Sequence, residues 1–544
     1  MDEASEKYPC LDSILPEIGE FGRYQIAVCS FVGFAMLLHS SAHNAFIFTA
    51  LNTEHRCEIP ECDSSSPAYE PSWLPNAVPY QNTGPTKCQQ YFYNSSEPHN
   101  GTCSFKDFDR SMIVSCNSFV YKTEERSIVQ EYDLQCDNNL WKLSMVGSVN
   151  SLGQFFGLFL GGLISDKYGR KVLLIWGMVL CAVCGIVRAF MPTYEWFLVF
   201  EFLDAAFGAG TYICGFILGV ELVGPKKRVL TGILSSSCYT FGEIFTAAAA
   251  WVVQNWRHLI FILYSPIFVI ISYIWLVPES VRWNLSKGRV EEAKAILRKA
   301  AKVNGKELSE NTLEKLSLIE LDEDKTEKDS FGKALLGSVT ITMRLINCCI
   351  CWSTCTFLFY GLTLTSVSIA AGNSYLDFIL TSLIELPAYL CCNFMLQLFG
   401  RRWSISLSYL LTGFACAAHV FVPQDSHVGT LAIYLIGKFG ATAAFTNLYV
   451  ITSEMFPTKM RHSFMGTCST FGRLGNMIAP QTHLLASIWT PLPMLSFAVT
   501  ALIAAFLTLL FPETSNIKLP DTIEEAEMIG KTPLKVLPEK FNTV

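Results

Sequence analysis

The chain has 544 residues, of which 51% are hydrophobic, 13% aromatic and only 16% charged. A soluble domain carries about 25% charged residues, so this composition excludes a string of water-soluble domains. The net charge of −7 falls mostly in loops and gives no basis for nucleic-acid binding.

Residues 1–23 are polar and acidic, without the short apolar core and cleavage site of a secretory leader. Twelve apolar runs follow, each near the ~20 residues needed to span a bilayer as a helix. They cover 24–51, 142–164, 172–191, 196–221, 229–252, 257–277, 339–366, 374–396, 403–422, 428–452, 464–486 and 492–511. The predicted fold is an all-α membrane protein of twelve helices in two six-helix halves, 24–277 and 339–511.

The loop after the first span, 52–141, holds Cys57, Cys62, Cys88, Cys103, Cys116 and Cys136, and two glycosylation acceptors, Asn94 and Asn100. A disulfide-stapled, glycosylated segment belongs on the oxidising side of a membrane. Six cysteines leave the pairing open. Bases cluster instead in "DKYGRK" (166–171), "PKKR" (225–228), "GRR" (400–402) and "TKMR" (458–461), which marks those loops as cytoplasmic. The N-terminus, the charge-balanced loop 278–338 and the tail 512–544 then lie on the cytoplasmic side of a plasma membrane. A third acceptor, Asn284, falls in that inner loop and is expected to stay unmodified. Most other cysteines lie within spans; "NCCICWSTC" (347–355) has no histidine or acid beside it and reads as small apolar packing rather than a metal centre.

The chain repeats across 278–338. "YGRK" answers "FGRR", Glu221 before Arg228 answers Glu454 before Arg461, and "PES" (278–280) answers "PET" (512–514), at offsets of 231, 233 and 234 residues. Such parallel repeats build transporters. Asp166 and Glu221 can pair with Arg170 and Arg228, and Glu454 with Arg461, as a gate at the inner helix ends. Gln397 stands where the first copy has Asp166, so the gate is expected to be asymmetric.

With the gate loop "GGLISDKYGRK" (161–171), the cysteine-rich loop, "EYDLQC" (131–136), "PESVRW" (278–283) and "LPDTIEEAE" (519–527), the chain resembles the organic cation, carnitine and organic anion transporter family of the major facilitator superfamily. The resemblance implies a central substrate cavity and alternating access.

Ionisable residues inside a membrane are functional candidates, since each costs about 2.5–3.5 kcal/mol at mid-span on insertion scales. They are Asp204, Glu243, Glu385, Lys438 and Arg473, with Glu201 toward the outer end of span four. Arg188 and Arg344 near span ends are expected to snorkel to the interface. "TSLIELPAY" (381–389), "IGKFGATAAF" (436–445) and "STFGRLGNMIAP" (469–480) resemble the carnitine and zwitterion branch. That implies Arg473 for a carboxylate and Glu385 for an ammonium, either side by side or paired with each other when empty. The extra acids Glu201, Asp204 and Glu243 depart from the family pattern and favour amines. Tyr212, Tyr239, Trp352, Phe357, Tyr360 and Phe445 are candidate cavity walls for a cation, and Tyr360 best matches a family cavity position.

"GVELVGPKK" (219–227) lacks the ending of a phosphate loop, and no ATPase domain, catalytic constellation, cofactor motif or metal spacing is present. The expectation is therefore no enzyme and no cofactor. It is a bilayer-embedded carrier of small organic cations or zwitterions that works by a rocking motion. An organic anion exchanger and a non-transporting receptor or scaffold are the alternatives, and the coupling ion stays open.

Overall fold

The computed structural model describes residues 14–530 apart from 82–83, 95–102, 225–226, 309–312, 314–336, 370–371, 424–425, 458–459, 516, 518–519 and 521. Asn100 and most of the loop before residue 337 lie outside these, while Asn94 is exposed.

Twelve long helices occupy the predicted spans within a few residues. The first half contains α1 (Arg23–His43, continued by Ala45–Thr49), α2 (Leu140–Tyr168), α3 (Arg170–Arg188), α4 (Tyr194–Glu221), α5 (Arg228–Val253) and α6 (Trp256–Tyr264, continued by Ser265–Ser272 and Tyr273–Leu276). The second contains α7 (Val339–Thr365), α8 (Ser374–Leu383, continued by Glu385–Leu398), α9 (Gly400–His419), α10 (His427–Met455), α11 (Arg461–Ile478, continued to Ile488) and α12 (Leu492–Thr508). Eight are long and apolar enough to cross a membrane, and α12 is apolar but shorter. α5, α9 and α11 are more polar because their polar groups turn inward: Thr240, Glu243 and Thr246 on α5, Ser404, Ser408 and Thr412 on α9 and Asn476 on α11 are buried. Outward positions carry the apolar bulk, with Phe159, Phe414 and Phe506 more than 60% exposed. That inversion suits a lipid surround, where backbone and polar groups must be satisfied internally.

The repeat is visible in the packing. α1 packs on α5, α2 and α3 on α4, and α3 on the second part of α6. In the other half, α7 packs on α11, α8 and α9 on α10, and α9 on α12. Between the halves, α5 meets α8 and α2 meets α11, again a matched pair. Each half has its own apolar core, and the first also takes in Tyr375 and Phe378 from the start of α8.

Local sequence explains the key contacts. Gly157 of α2 lies against α4 so closely that an added Cβ would stand 2.0 Å from the Ala206 carbonyl; small residues are what let membrane helices approach this far. α8 bends at Ile384 because Pro387 supplies no N–H to the preceding turn, which places Glu385 at the bend.

The loop between α1 and α2 forms a small cap. Strands β1 (His55–Cys57), β2 (Tyr80–Gln81), β3 (Gly84–Pro85), β4 (Gln89–Tyr93), β5 (Phe108–Ser115) and β6 (Phe119–Tyr121) pair antiparallel as β1–β6, β2–β3 and β4–β5. The six predicted cysteines pair as Cys57–Cys116, Cys62–Cys103 and Cys88–Cys136. Ile59, Trp73, Leu74 and Phe108 give the cap its own core.

Candidate functional site

At the helix ends opposite the cap, both halves repeat one polar arrangement. Glu279, just after α6, accepts from the backbone N–H groups of Arg170 and Lys171 at 3.0 and 3.1 Å. Glu513, just after α12, does the same for Arg401 and Arg402 at 2.9 and 3.0 Å. A carboxylate at a helix N-terminus satisfies free N–H groups and meets the positive end of the dipole. Gly169 (φ +108°) and Gly400 (φ +74°) make the room: a Cβ there would lie 2.1 and 2.9 Å from these carboxylates. Glu221 and Glu454 accept from the hydroxyls of Ser280 and Thr514.

Of the predicted gate residues, Asp166, Arg170, Glu221 and Glu454 thus tie ends together within a half. Arg170 pairs with Asp166 at 3.0 Å. In the second half Gln397 offers no charge, so the equivalent Arg401 turns to Glu454 at 3.1 Å. Arg228 and Arg461 are the first residues of α5 and α11. Between the halves, hydrogen bonds lie at mid-helix or toward the cap: Ser148 to Met477, Ser151 to Asn476, Gln481 to Ser148 and to Met145 Sδ, Thr240 to Glu385, Arg473 to Gln154, and Tyr375 to Glu125. Phe48 of the first half also packs on Tyr375 and Phe378.

The intramembrane charges meet at mid-bundle, with partners other than those expected. Lys438 Nζ lies 2.9 Å from Glu385 Oε1, and both side chains are fully buried. Lys438 also donates to Thr363 Oγ1 at 2.6 Å and sits 3.6 Å over the Phe359 ring. Glu385 Oε2 accepts from Thr240 Oγ1 at 3.2 Å and the Tyr389 hydroxyl at 3.0 Å. Glu385 is thus neutralised within the second half, because α8 and α10 are packed neighbours.

Arg473 is half-buried and forms no ion pair with a carboxylate among the described residues. Its Nη1 donates to Gln154 Oε1 at 3.2 Å, and the Tyr360 phenol is beside it. Glu243, 1% exposed, is 3.5 Å from Asn44 Nδ2 through Oε1. Its Oε2 makes no well-aligned hydrogen bond, although the Ser382 hydroxyl is near. Around these charges stand half-buried aromatic rings: Tyr212 and Tyr239 at 5.5 Å, and Tyr360 against His43 at 6.3 Å. A small void, with room for about one water, is bounded by His43, Asn44, Gln154 and Tyr360.

Several expectations are corrected. Asp204 does not face substrate space as a free acid: its Oδ2 accepts from Tyr264 at 2.5 Å and lies 3.1 Å from Arg188. Arg188 does not snorkel but is 0% exposed, because Phe197, Tyr264 and the cap residue Tyr132 close over that end of the bundle. Glu201 is Arg188's other partner. Phe357 packs on Phe497 of α12 at 5.1 Å rather than walling the centre, and Trp352 is buried, donating to Thr452 at 3.0 Å. Phe445 lies 5.1 Å from Phe359, beside the Lys438 pair. Arg344 holds the tail through the carbonyls of Ala526 and Ile529. Residues not anticipated are His39, His43, Asn44 and Gln154, neutral polar groups inside spans, and Glu279 and Glu513, which the repeated "PES" and "PET" did signal.

Residues 108–525 match the family model "Sugar (and other) transporter". The chain is 31% identical over 538 residues to rabbit (Oryctolagus cuniculus) solute carrier family 22 member 1, covering 96% of each chain. It is 32% identical over 533 residues to human solute carrier family 22 member 2, covering 95% of each. A Drosophila melanogaster protein named organic cation transporter protein is 28% identical over 544 residues, 96% of this chain and 95% of that one. Among solved structures, the partially occluded inward open conformation of the xylose transporter XylE from E. coli superposes with a TM-score of 0.60, covering 91% of this chain and all of that one at 16% identity, a likeness of fold alone.

Proposed function

From the premise that this chain belongs to the sugar (and other) transporter family of major facilitators, and within it to solute carrier family 22, we propose that it carries small organic cations or zwitterions across the plasma membrane. The observation that carries the reading is the division of charge at mid-bundle. Lys438 and Glu385 neutralise each other, which leaves Glu243 with an open carboxylate oxygen and Arg473 without an acid. A substrate ammonium fits beside Glu243 among Tyr239, Tyr212 and Tyr360, where ring faces add about 0.5–2 kcal/mol for a cation. A substrate carboxylate fits the planar donor fork of Arg473. Glu385 then acts by holding Lys438 away from the substrate rather than by binding the ammonium itself.

Access by rocking is the matching mechanism. Each half has its own core and its own capped helix ends, so it can move as one body, while the hydrogen bonds seen between the halves among the described residues are central or cap-side. With the cap outside, those bonds close the outer mouth. Relatives named as organic cation transporters agree with the substrate class.

Uptake into vesicles, with an amine, a betaine and a dicarboxylate as competitors, tests the assignment. A charged hydrogen bond contributes about 1.5–3 kcal/mol, so Arg473→Ala should weaken the betaine by roughly 10- to 100-fold and spare the amine. Glu243→Gln should weaken both. Preference for the dicarboxylate, abolished by Arg473→Ala, would instead establish organic anion exchange, the second reading that the unpaired Arg473 favours.

A further inference from the structure

A second buried charge cluster lies in the first half, and substrate binding does not use it. Arg188, Glu201 and Asp204 are each at most 4% exposed. Arg188 contacts both carboxylates and is the only cation to do so among the described residues. Glu201 Oε1 also accepts from Asn150 Nδ2 at 2.7 Å. One guanidinium against two ionised carboxylates leaves a surplus negative charge far from water, which is strongly unfavourable. The other titratable groups around Asp204 are Cys181 and Cys184 on α3, Tyr264 on α6 and His39 and His43 on α1. These surroundings offer O–H, S–H and N–H donors, not the several oxygen ligands that a hard metal cation takes.

The cluster is also reachable. A small void, with room for about one water, is bounded by Asp204, Cys181, Asn150, His39 and His43. The two imidazoles are stacked at 5.9 Å. His43 Nδ1 is 3.5 Å from Gln154 Nε2, and Gln154 Oε1 holds Arg473 at 3.2 Å. Contacts thus run from Arg473 through Gln154 to His43, which borders the same void as His39 and Asp204.

We propose that Asp204 is a proton-binding site of this carrier, loaded from the central cavity through His43 and His39. The 2.8 Å contact between Asp204 Oδ1 and Cys181 Sγ serves both states. With the proton on Oδ1, the carboxyl O–H donates to sulfur. When the proton leaves across the cavity to an imidazole of the histidine pair, the thiol turns and donates to Oδ1. Tyr264 and Arg188 hold Oδ2 throughout. Because the path ends at Arg473, substrate and proton occupancy are coupled; that link rests on the substrate reading of Arg473 above.

Proteoliposomes of the full chain with an internal pH dye test the coupling. The probe is a quaternary betaine, whose carboxylate engages Arg473 and whose charges do not change near neutral pH. Wild type should move protons as the probe enters. Asp204→Asn should lose that movement while exchange of labelled for unlabelled probe continues within about twofold. Uptake without proton movement in wild type, or proton movement persisting in Asp204→Asn, overturns the proposal. Infrared pH-difference spectra read the site without any substrate: wild type should show a protonated-carboxyl band that Asp204→Asn lacks, and its absence from wild type also overturns the proposal. Should Asp204→Asn fail to fold, Cys181→Ser must shift that band, and an unshifted band counts against it. Failure of the betaine to enter at all refutes the zwitterion reading of Arg473, and the infrared result then decides the proton site alone.

Discussion

Removing one member of the Lys438–Glu385 pair gives a quantitative test of how the centre is held together. At 2.9 Å and an effective dielectric of about 20, the Coulomb attraction is roughly 6 kcal/mol before desolvation is subtracted. Breaking a buried pair from one side typically costs about 3–5 kcal/mol, because the survivor stays charged and uncompensated. Neutralising an ordinary lysine of pKa about 10.4 at pH 7 costs about 4.6 kcal/mol, which sets a ceiling on that loss. Glu385→Gln should therefore destabilise the detergent-purified protein by about 3–4.6 kcal/mol at pH 7. The ceiling falls by about 1.4 kcal/mol for each unit of pH rise, so the deficit should shrink toward pH 9. Lys438→Met alone should cost a similar amount, and the double variant should recover most of it. Denaturation of the four proteins in a double-mutant cycle measures the coupling. Additive single effects, or a deficit for Glu385→Gln that is flat between pH 7 and 9, would refute the account of a pair that neutralises itself.

Two further outcomes follow from the cap and the helix ends. Gly169→Ala forces a side chain into a left-handed backbone position and toward the Glu279 carboxylate at 2.1 Å; the backbone cost is about 1–2 kcal/mol before Glu279 is displaced, so surface expression should fall, whereas Gly162→Ala, with open space around it, should be neutral. Glu125 of the cap has its carboxyl raised by burial against the opposing bond from Tyr375. A raised folded-state value means the native protein holds that proton more tightly than the unfolded chain. This contribution is complete below the ordinary glutamate value of about 4.3 and is lost as pH rises through the folded value. Wild type should accordingly lose stability relative to Glu125→Gln as pH increases from about 4 upward, and matching melting profiles for the two proteins would show that Glu125 contributes nothing.

Much of the fold is legible in the chain because apolar runs of membrane length have few alternatives, and because matched landmarks such as Glu279 and Glu513 are chemically required wherever a helix begins against the end of another. The three helices too polar for a simple hydropathy criterion were still found, since their serines, threonines and charges leave an apolar outer face. The charges of the site are equally conspicuous, yet their partners were misjudged. Sequence places Glu385, Lys438 and Arg473 on three helices without saying which two adjoin. The adjacency of α8 and α10 decides that Glu385 takes Lys438, and that choice sets Arg473 free. Arg188 misled for a related reason. A base at the end of a span normally reaches water, but here the cap lies over the bundle, and Tyr132 and Phe197 seal that end at a ring separation of 5.7 Å. The burial of Arg188 then demands acids, which is why Glu201 and Asp204 turn toward it. His39, His43 and Gln154 carry no signal of their own, since neutral polar residues are common inside polytopic bundles. Their significance comes only from lying between two charges that the chain keeps 269 positions apart, Asp204 and Arg473. The acids thus fall into three settings: Glu201 and Asp204 share Arg188, Glu385 takes Lys438, and Glu243, like Arg473, has no ion-pair partner among the described residues.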